Sequence, residues 1–171
     1  MLSAAQLHDI VNAAREIGAV VLSDECYALM NWTKANDDEG NREAAIESSP
    51  CALRADVCDG RADGVVVLYS LSKQSNMAGY RTALLAGDAQ IISRMTAFRN
   101  SSAHHAWTGA AAMAAGLRDA ASVRAQHNRY HDRLGELVCA LRGYGYRVNM
   151  PQGALYVWTK AKSADCWTDM K

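Results

Sequence analysis

Residues Val65–Arg81 read VVVLYSLSKQSNMAGYR. The opening Val65–Leu68 is a β-branched apolar run without polar alternation, the pattern of a strand buried on both faces. It ends in the polar residues Ser70 to Lys73, so a lysine and two serines, and then Gly79 and Arg81, gather just past a strand end. The pattern has a counterpart upstream, where Ala19–Leu22 is a short β-prone run ending in Ser23-Asp24-Glu25. Before it, Ser3 and Gln6 form a capping box, and Leu7, Ile10, Val11 and Ala14 recur at helical spacing, which predicts a helix over about 4–17. Helix, strand, connection and strand together predict an α/β unit whose two parallel strands end at one edge. In open α/β sheets that edge is where ligands bind.

Working outward, residues 31–64 are polar with weak periodicity and predict a loop with room for a short helix. Asp88 to Phe98 predicts a helix, and the Ala-rich stretch from about His105 to Arg142 predicts one or two more, closed by Gly143. Beyond it the pattern changes. Tyr146–Asn149 and Ala154–Trp158, joined by the turn Pro151-Gln152-Gly153, predict two strands of a smaller α+β region. Tyr156, Trp158 and Trp167 are expected in the core of that region.

The totals exclude several classes. Half of the 171 residues are hydrophobic, and 18 basic side chains balance 18 acidic ones. This is ordinary globular composition, with no electrostatic footprint for nucleic acid and no apolar stretch of membrane-spanning length. Length alone suggests one domain. The N-terminus lacks a basic start and a long apolar segment, which predicts a cytoplasmic protein. The five cysteines, Cys26, Cys51, Cys58, Cys139 and Cys166, are scattered without a C-x-x-C pair and are expected to be free thiols, mostly in packing roles. His127 and His131 have metal-ligand spacing, but Asn128 breaks the H-E-x-x-H pattern, and their place among Arg124, Arg129 and Arg133 predicts an exposed helix face. His104-His105 reads as a helix start. No metal is expected, and neither a dinucleotide fingerprint, a P-loop nor a G-x-S-x-G elbow occurs.

What remains is the lysine. An amine becomes nucleophilic when burial or neighbouring cations lower its pKa, although a lone lysine is more often a solvated charge. Here Ser70 and Ser72 offer hydroxyls, Gly79 permits close backbone approach and Arg81 brings a guanidinium suited to phosphate. Such a set suits a phosphorylated carbonyl compound. Asp24 and Tyr27, past the other strand, offer a carboxylate for a protonated ring nitrogen and a phenol for a phenolic oxygen, the controls that pyridoxal phosphate requires. The plainer alternative makes Asp24 a loop cap and Tyr27 a rim aromatic.

SDECY at Ser23–Tyr27 and SLSKQSNMAGYR at Ser70–Arg81, in this order and separation, resemble the class I/II, fold-type I pyridoxal-phosphate aminotransferases. The resemblance extends over nearly the whole chain, because PQGALYVW at Pro151–Trp158 is similar to the entry of that family's chain into its small domain. It implies a fold-type I α/β large domain with a mostly parallel sheet over residues 1–142, followed by the beginning of an α+β small domain over 143–171. It further implies Lys73 as the Schiff-base lysine, Asp24 at the pyridine nitrogen of pyridoxal 5′-phosphate, Tyr27 at its O3′, and Ser70, Ser72 and Arg81 at its phosphate. LSKQSNMAGYR, LLAGD and the ADCW of Ala164–Trp167 look most like succinyldiaminopimelate aminotransferases, which implies amino transfer between an amino acid and a 2-oxo acid in lysine and diaminopimelate synthesis. A homodimer is implied as well.

The resemblance also implies a central portion of such an enzyme. The family's Asn-Pro-x-Gly turn would precede Met1, and its carboxylate-binding arginine would follow Lys171. A sheet without its earlier strands exposes an edge and an apolar face, so the chain alone is expected to be poorly soluble or only partly ordered, and not to carry out transamination by itself. Three alternatives stand beside the aminotransferase: a non-catalytic homologue, an inert remnant, and another fold-type I enzyme such as a lyase or synthase.

Overall fold

The fold is seen in a computed structural model that describes residues 2–32, 50–101, 107–163 and 165–169. Helix α1, Ala4–Glu16, starts at the expected capping box: Gln6 N–H donates to Ser3 Oγ (3.2 Å) and Ser3 N–H donates to Gln6 Oε1 (2.9 Å). It ends at Gly18, whose φ of 68° suits glycine. Strand β1 is Val21–Asp24, two residues later than the apolar run suggested. After the short helix α2, Ala55–Cys58, comes β2, Val65–Tyr69. The two strands are parallel, with Val21 opposite Val65 and Asp24 opposite Leu68, so their C-terminal ends do share an edge.

Strand β2 lies in the centre of the sheet, and Val65, Val66 and Val67 are each buried, which is why its sequence lacks alternation. Toward one face, Val65 and Val67 pack with Val11 of α1, Val57 of α2 and Ala52. Its second neighbour is β3, Leu84–Gly87, antiparallel and not anticipated as a strand. Gly87 is obligatory there: φ is 137°, and an added Cβ would lie 2.1 Å from Val65 O.

Immediately past β2 stands α3, Leu71–Gln74, followed by a 3₁₀ turn at Ala78–Tyr80. Helices α4, Ala89–Ser101, α5, Trp107–Gly116, and α6, Ala120–Gly143, follow. Helix α5 comes close to the lysine loop through two glycines seven residues apart. A Cβ on Gly109 would meet Thr82 Cγ2 at 2.3 Å, and one on Gly116 would meet Leu71 Cδ1 at 2.8 Å and Met77 Sδ at 2.9 Å.

The C-terminal region departs from expectation. Tyr146–Asn149 and Ala154–Trp158 are not strands; an isolated antiparallel bridge joins Gly153 to Asn31. A ladder needs a partner strand, and here the segment instead closes over a second core of Met30, Trp32 and Leu134, to which Met150, Leu155 and Val157 add. Tyr156, Trp158 and Trp167 are 66%, 93% and 71% exposed, so they are not core residues. The chain's last described helix, α7, is Cys166–Asp169.

His127 is fully buried, contrary to the exposed face predicted for it. Its ring packs against Trp32 at a tilt of 45°, the centroids 4.6 Å apart, and its Nε2 lies 3.3 Å from Asn31 O. His104 and His105 lie outside the described residues. All five cysteines are free thiols, but Cys139 and Cys166 are exposed rather than packed. Among the described residues no group of three or more His, Cys, Asp or Glu is placed to hold a metal, and no helix is long and apolar enough to cross a membrane.

Candidate active site

The spacing of α3 decides how the lysine is presented. Leu71 and Gln74, at i and i+3, are both buried, and Ser72 and Lys73 between them turn outward. Gln74 is held in turn by the Tyr69 hydroxyl, which donates to its Oε1. Burial pushes the Tyr69 phenol up to about 12, so it stays a donor. Ser70 caps the helix: its Oγ accepts from Ser72 N–H (3.1 Å), donates to Thr82 O (3.1 Å) and lies 2.7 Å from Ser72 Oγ. The two serines thus present one hydroxyl cluster tied to the strand that follows.

On the neighbouring strand end, Asp24 is exposed and its Oδ1 accepts from Cys26 N–H (3.1 Å). The turn beyond it is fixed by Glu25, to which the sequence pattern alone assigns no role. Glu25 N–H donates to Leu68 O (2.9 Å), and its buried Oε1 accepts from Ala52 N–H (2.7 Å) and the Ser23 hydroxyl (3.0 Å). A carboxylate that accepts from two sides anchors the turn between Asp24 and Tyr27.

Across this edge the Lys73 amine stands over the Tyr27 ring, 5.6 Å from its centroid. Tyr27 also meets Tyr156, expected from the sequence in a core: the two hydroxyls are 2.8 Å apart. That hydrogen bond, with burial second, pushes the Tyr27 phenol up to about 12. Period-two alternation of Leu155, Tyr156 and Val157 is the signal that sets the tyrosine on the other side of the chain from the two apolar residues.

Asp24, Glu25 and Tyr27 line a cavity of about 470 Å³ together with Gln152, Gly153 and Ala154. Lys73 does not line it. Arg81 is exposed, has φ of 51°, and donates to Ala78 O (3.2 Å) within its own turn rather than to Ser70 or Ser72. The structure therefore joins Lys73 with Tyr27, Ser70 with Ser72, and Asp24 with Tyr27 around a cavity, while Arg81 stays apart from the serines.

Comparison with known proteins gives this edge its family. The family model for aminotransferase class I and II matches residues 1–171. The transaminase OxyQ of Streptomyces rimosus, named for 4-dedimethylamino-4-oxo-anhydrotetracycline, is 37% identical over 168 residues, which are 98% of this chain and 43% of OxyQ. A glutamate-pyruvate aminotransferase, AlaC, of Escherichia coli is 33% identical over 153 residues, 88% of this chain and 34% of AlaC. Among solved structures, an aminotransferase from Staphylococcus aureus superposes with a TM-score of 0.76 at 17% identity, covering 96% of this chain and 40% of that one. N-Succinyldiaminopimelate aminotransferase from Mycobacterium tuberculosis gives 0.72 at 23% identity, covering 90% and 37%. At such identities the likeness is one of fold, and the chain spans less than half the length of these relatives. With a match along its whole length, a fold-type I architecture and a lysine at the strand edge, the chain belongs to the class I and II aminotransferases, a family that works with pyridoxal 5′-phosphate.

Proposed function

We propose that the edge formed by β1 and β2 is the pyridoxal-phosphate site of a transaminase that moves an amino group between an amino acid and a 2-oxo acid. The observation that carries this is the Lys73 amine over the face of Tyr27, at the ends of adjacent parallel strands. The donor set fits the cofactor group by group: an amine for its aldehyde, a carboxylate for its ring nitrogen, a phenol for its phenolic oxygen, and hydroxyls and a guanidinium for its phosphate.

When bound, pyridoxal phosphate supplies a carbonyl that captures amines and a ring that withdraws electrons. The chain's own residues do the rest. Lys73 Nζ would hold the cofactor and then carry the proton taken from the substrate Cα to the cofactor's C4′. Asp24 keeps the ring nitrogen protonated, because a carboxylate beside it favours the charged form. Tyr27 donates its hydroxyl to the phenolic oxygen. Ser70, Ser72 and Arg81 would hold the phosphate, Arg81 giving up its bond to Ala78 O to do so.

For substrates, the reading is glutamate and N-succinyl-diaminopimelate with their 2-oxo acids. It is supported by the motif resemblance and by LL-diaminopimelate aminotransferases among the relatives, one from Oleidesulfovibrio alaskensis being 28% identical over 155 residues. The 37% identity to OxyQ favours a second reading, a ring ketone as amino acceptor. Residues 1–142 as large domain and 143–171 as the beginning of a small one, a homodimer, and a cytoplasmic location belong to the same proposal.

The test is to incubate the chain with pyridoxal phosphate, reduce with borohydride and map the labelled lysine by mass spectrometry. Lys73 carries the label in preference to the other lysines, and Lys73→Ala abolishes it. Label spread evenly over surface lysines overturns the proposal.

A further inference from the structure

Packing does not account for Tyr156. It is 66% exposed, yet its hydroxyl lies 2.8 Å from that of Tyr27, and the two rings meet edge to face at 5.8 Å between centroids. The backbone that delivers it is strained. Ala154, two residues earlier, has φ of 61°, a left-handed conformation that costs a residue with a Cβ. Three hydrogen bonds over-determine it: Ala154 N–H donates to Met30 O (2.8 Å), the Trp32 indole N–H donates to Ala154 O (2.7 Å), and Trp32 N–H donates to Gln152 O (3.0 Å). Leu155 and Val157 then pack on the core of Met30, Trp32 and Leu134. Tyr156, between them, is left facing Tyr27. Strained backbone persists where its surroundings hold it, and it gathers at functional sites.

We propose that Tyr156 is a positioning residue that holds the Tyr27 hydroxyl for the cofactor, so that residues 150–158 complete the site formed at the ends of β1 and β2. The inference rests on the functional reading above. A phenol donates one proton and accepts up to two, so a pair of phenols uses one proton between them and keeps one to give away. Either hydroxyl can be the donor of this bond; with an anionic oxygen before Tyr27, Tyr156 would donate to Tyr27 and Tyr27 would give its own proton to that oxygen, its hydroxyl fixed against turning toward water. Tyr156 acts through Tyr27 and needs no contact with the reacting atoms.

The experiment has two readouts on the unsubstituted chain, Tyr156→Phe, Tyr27→Phe and the double variant. The first is the ring Cζ resonance of ¹³C-labelled Tyr27 in the cofactor-free chain. The second is the pyridoxal phosphate concentration that gives half-maximal borohydride-trapped label on Lys73. Phenylalanine keeps the ring of Tyr156 at an exposed position and removes only the hydroxyl. The expected results are a shifted Tyr27 resonance and a half-labelling concentration raised about three- to tenfold, the worth of one hydrogen bond. In the Tyr27→Phe background the same substitution adds nothing, because the two act as one unit. An unmoved resonance, an unchanged concentration, or an equal rise in both backgrounds overturns the proposal. Failure of the functional reading looks different: label then spreads over many lysines in the unsubstituted chain.

Discussion

The Lys73 amine lies over the face of Tyr27, 5.6 Å from the ring centroid, and so joins the turn after β2 to the turn after β1. Cation and ring attract through the ring quadrupole, so the aromatic face of Tyr27 contributes to placing the amine. Tyr27→Phe should therefore retain preferential labelling of Lys73 while weakening cofactor capture about three- to tenfold, the cost of one hydrogen bond. Tyr27→Ala, which removes the ring as well, should weaken it further. Equal losses in the two variants would deny the ring any role.

Leu71, 1% exposed, anchors the helix that carries Lys73. Leu71→Ala should cost about 2–5 kcal/mol of stability, the usual penalty for a cavity at a buried leucine. Gly116→Ala approaches the same residue from α5 and should cost about 1–3 kcal/mol, because the new Cβ would press on Leu71 and Met77. Urea denaturation midpoints measure both; a Gly116→Ala variant as stable as the parent would show that α5 does not pack as closely as described.

Ala154 offers the opposite case. Its φ of 61° is strained for alanine and ordinary for glycine. Ala154→Gly should raise stability by up to about 1 kcal/mol, relief of strain outweighing the extra freedom of the unfolded chain. A loss of stability in thermal melts would mean that the bonds around residue 154 hold it without strain.

The thiols set a pH dependence. Burial pushes Cys26 up to about 11, with a hydrogen bond to Asp24 adding to it, and burial likewise pushes Cys51 to about 11, both from an ordinary 9.0. The thiolate is the species that alkylates, so at pH 8 the exposed Cys139 and Cys166 should react with iodoacetamide well before these two. The folded state keeps these protons longer than the unfolded chain does, so stability is whole below about pH 9 and falls as pH rises through about 11. Guanidinium melts across that range read the slope; stability that rises with pH there would contradict it.

Local patterns carried much of this fold into view. The Ser3–Gln6 capping box fixed the start of α1, and the unbroken Val65–Leu68 run reads as a central strand because both its faces are covered. Strand β3 escaped notice because Leu84–Gly87 is four residues long, ends in glycine, and owes its extended form to pairing with β2. His127 sits in a helix with arginines on several sides, and its burial is decided by Trp32, which sequence places far away. At the site, the residues of the two strand ends were legible as motifs. Glu25 and Tyr156 were not, since one works through Ala52 and the other through Tyr27, contacts that only the tertiary fold creates.

The most direct test of the central claim is a crystal structure of the chain soaked with pyridoxal phosphate. Continuous density is expected from Lys73 Nζ into the cofactor, with Asp24 at hydrogen-bond distance from the pyridine nitrogen, Tyr27 at the phenolic oxygen, and the phosphate against Ser70, Ser72 and Arg81. Density joined to a different lysine, or a ring bound away from Asp24 and Tyr27, would contradict it.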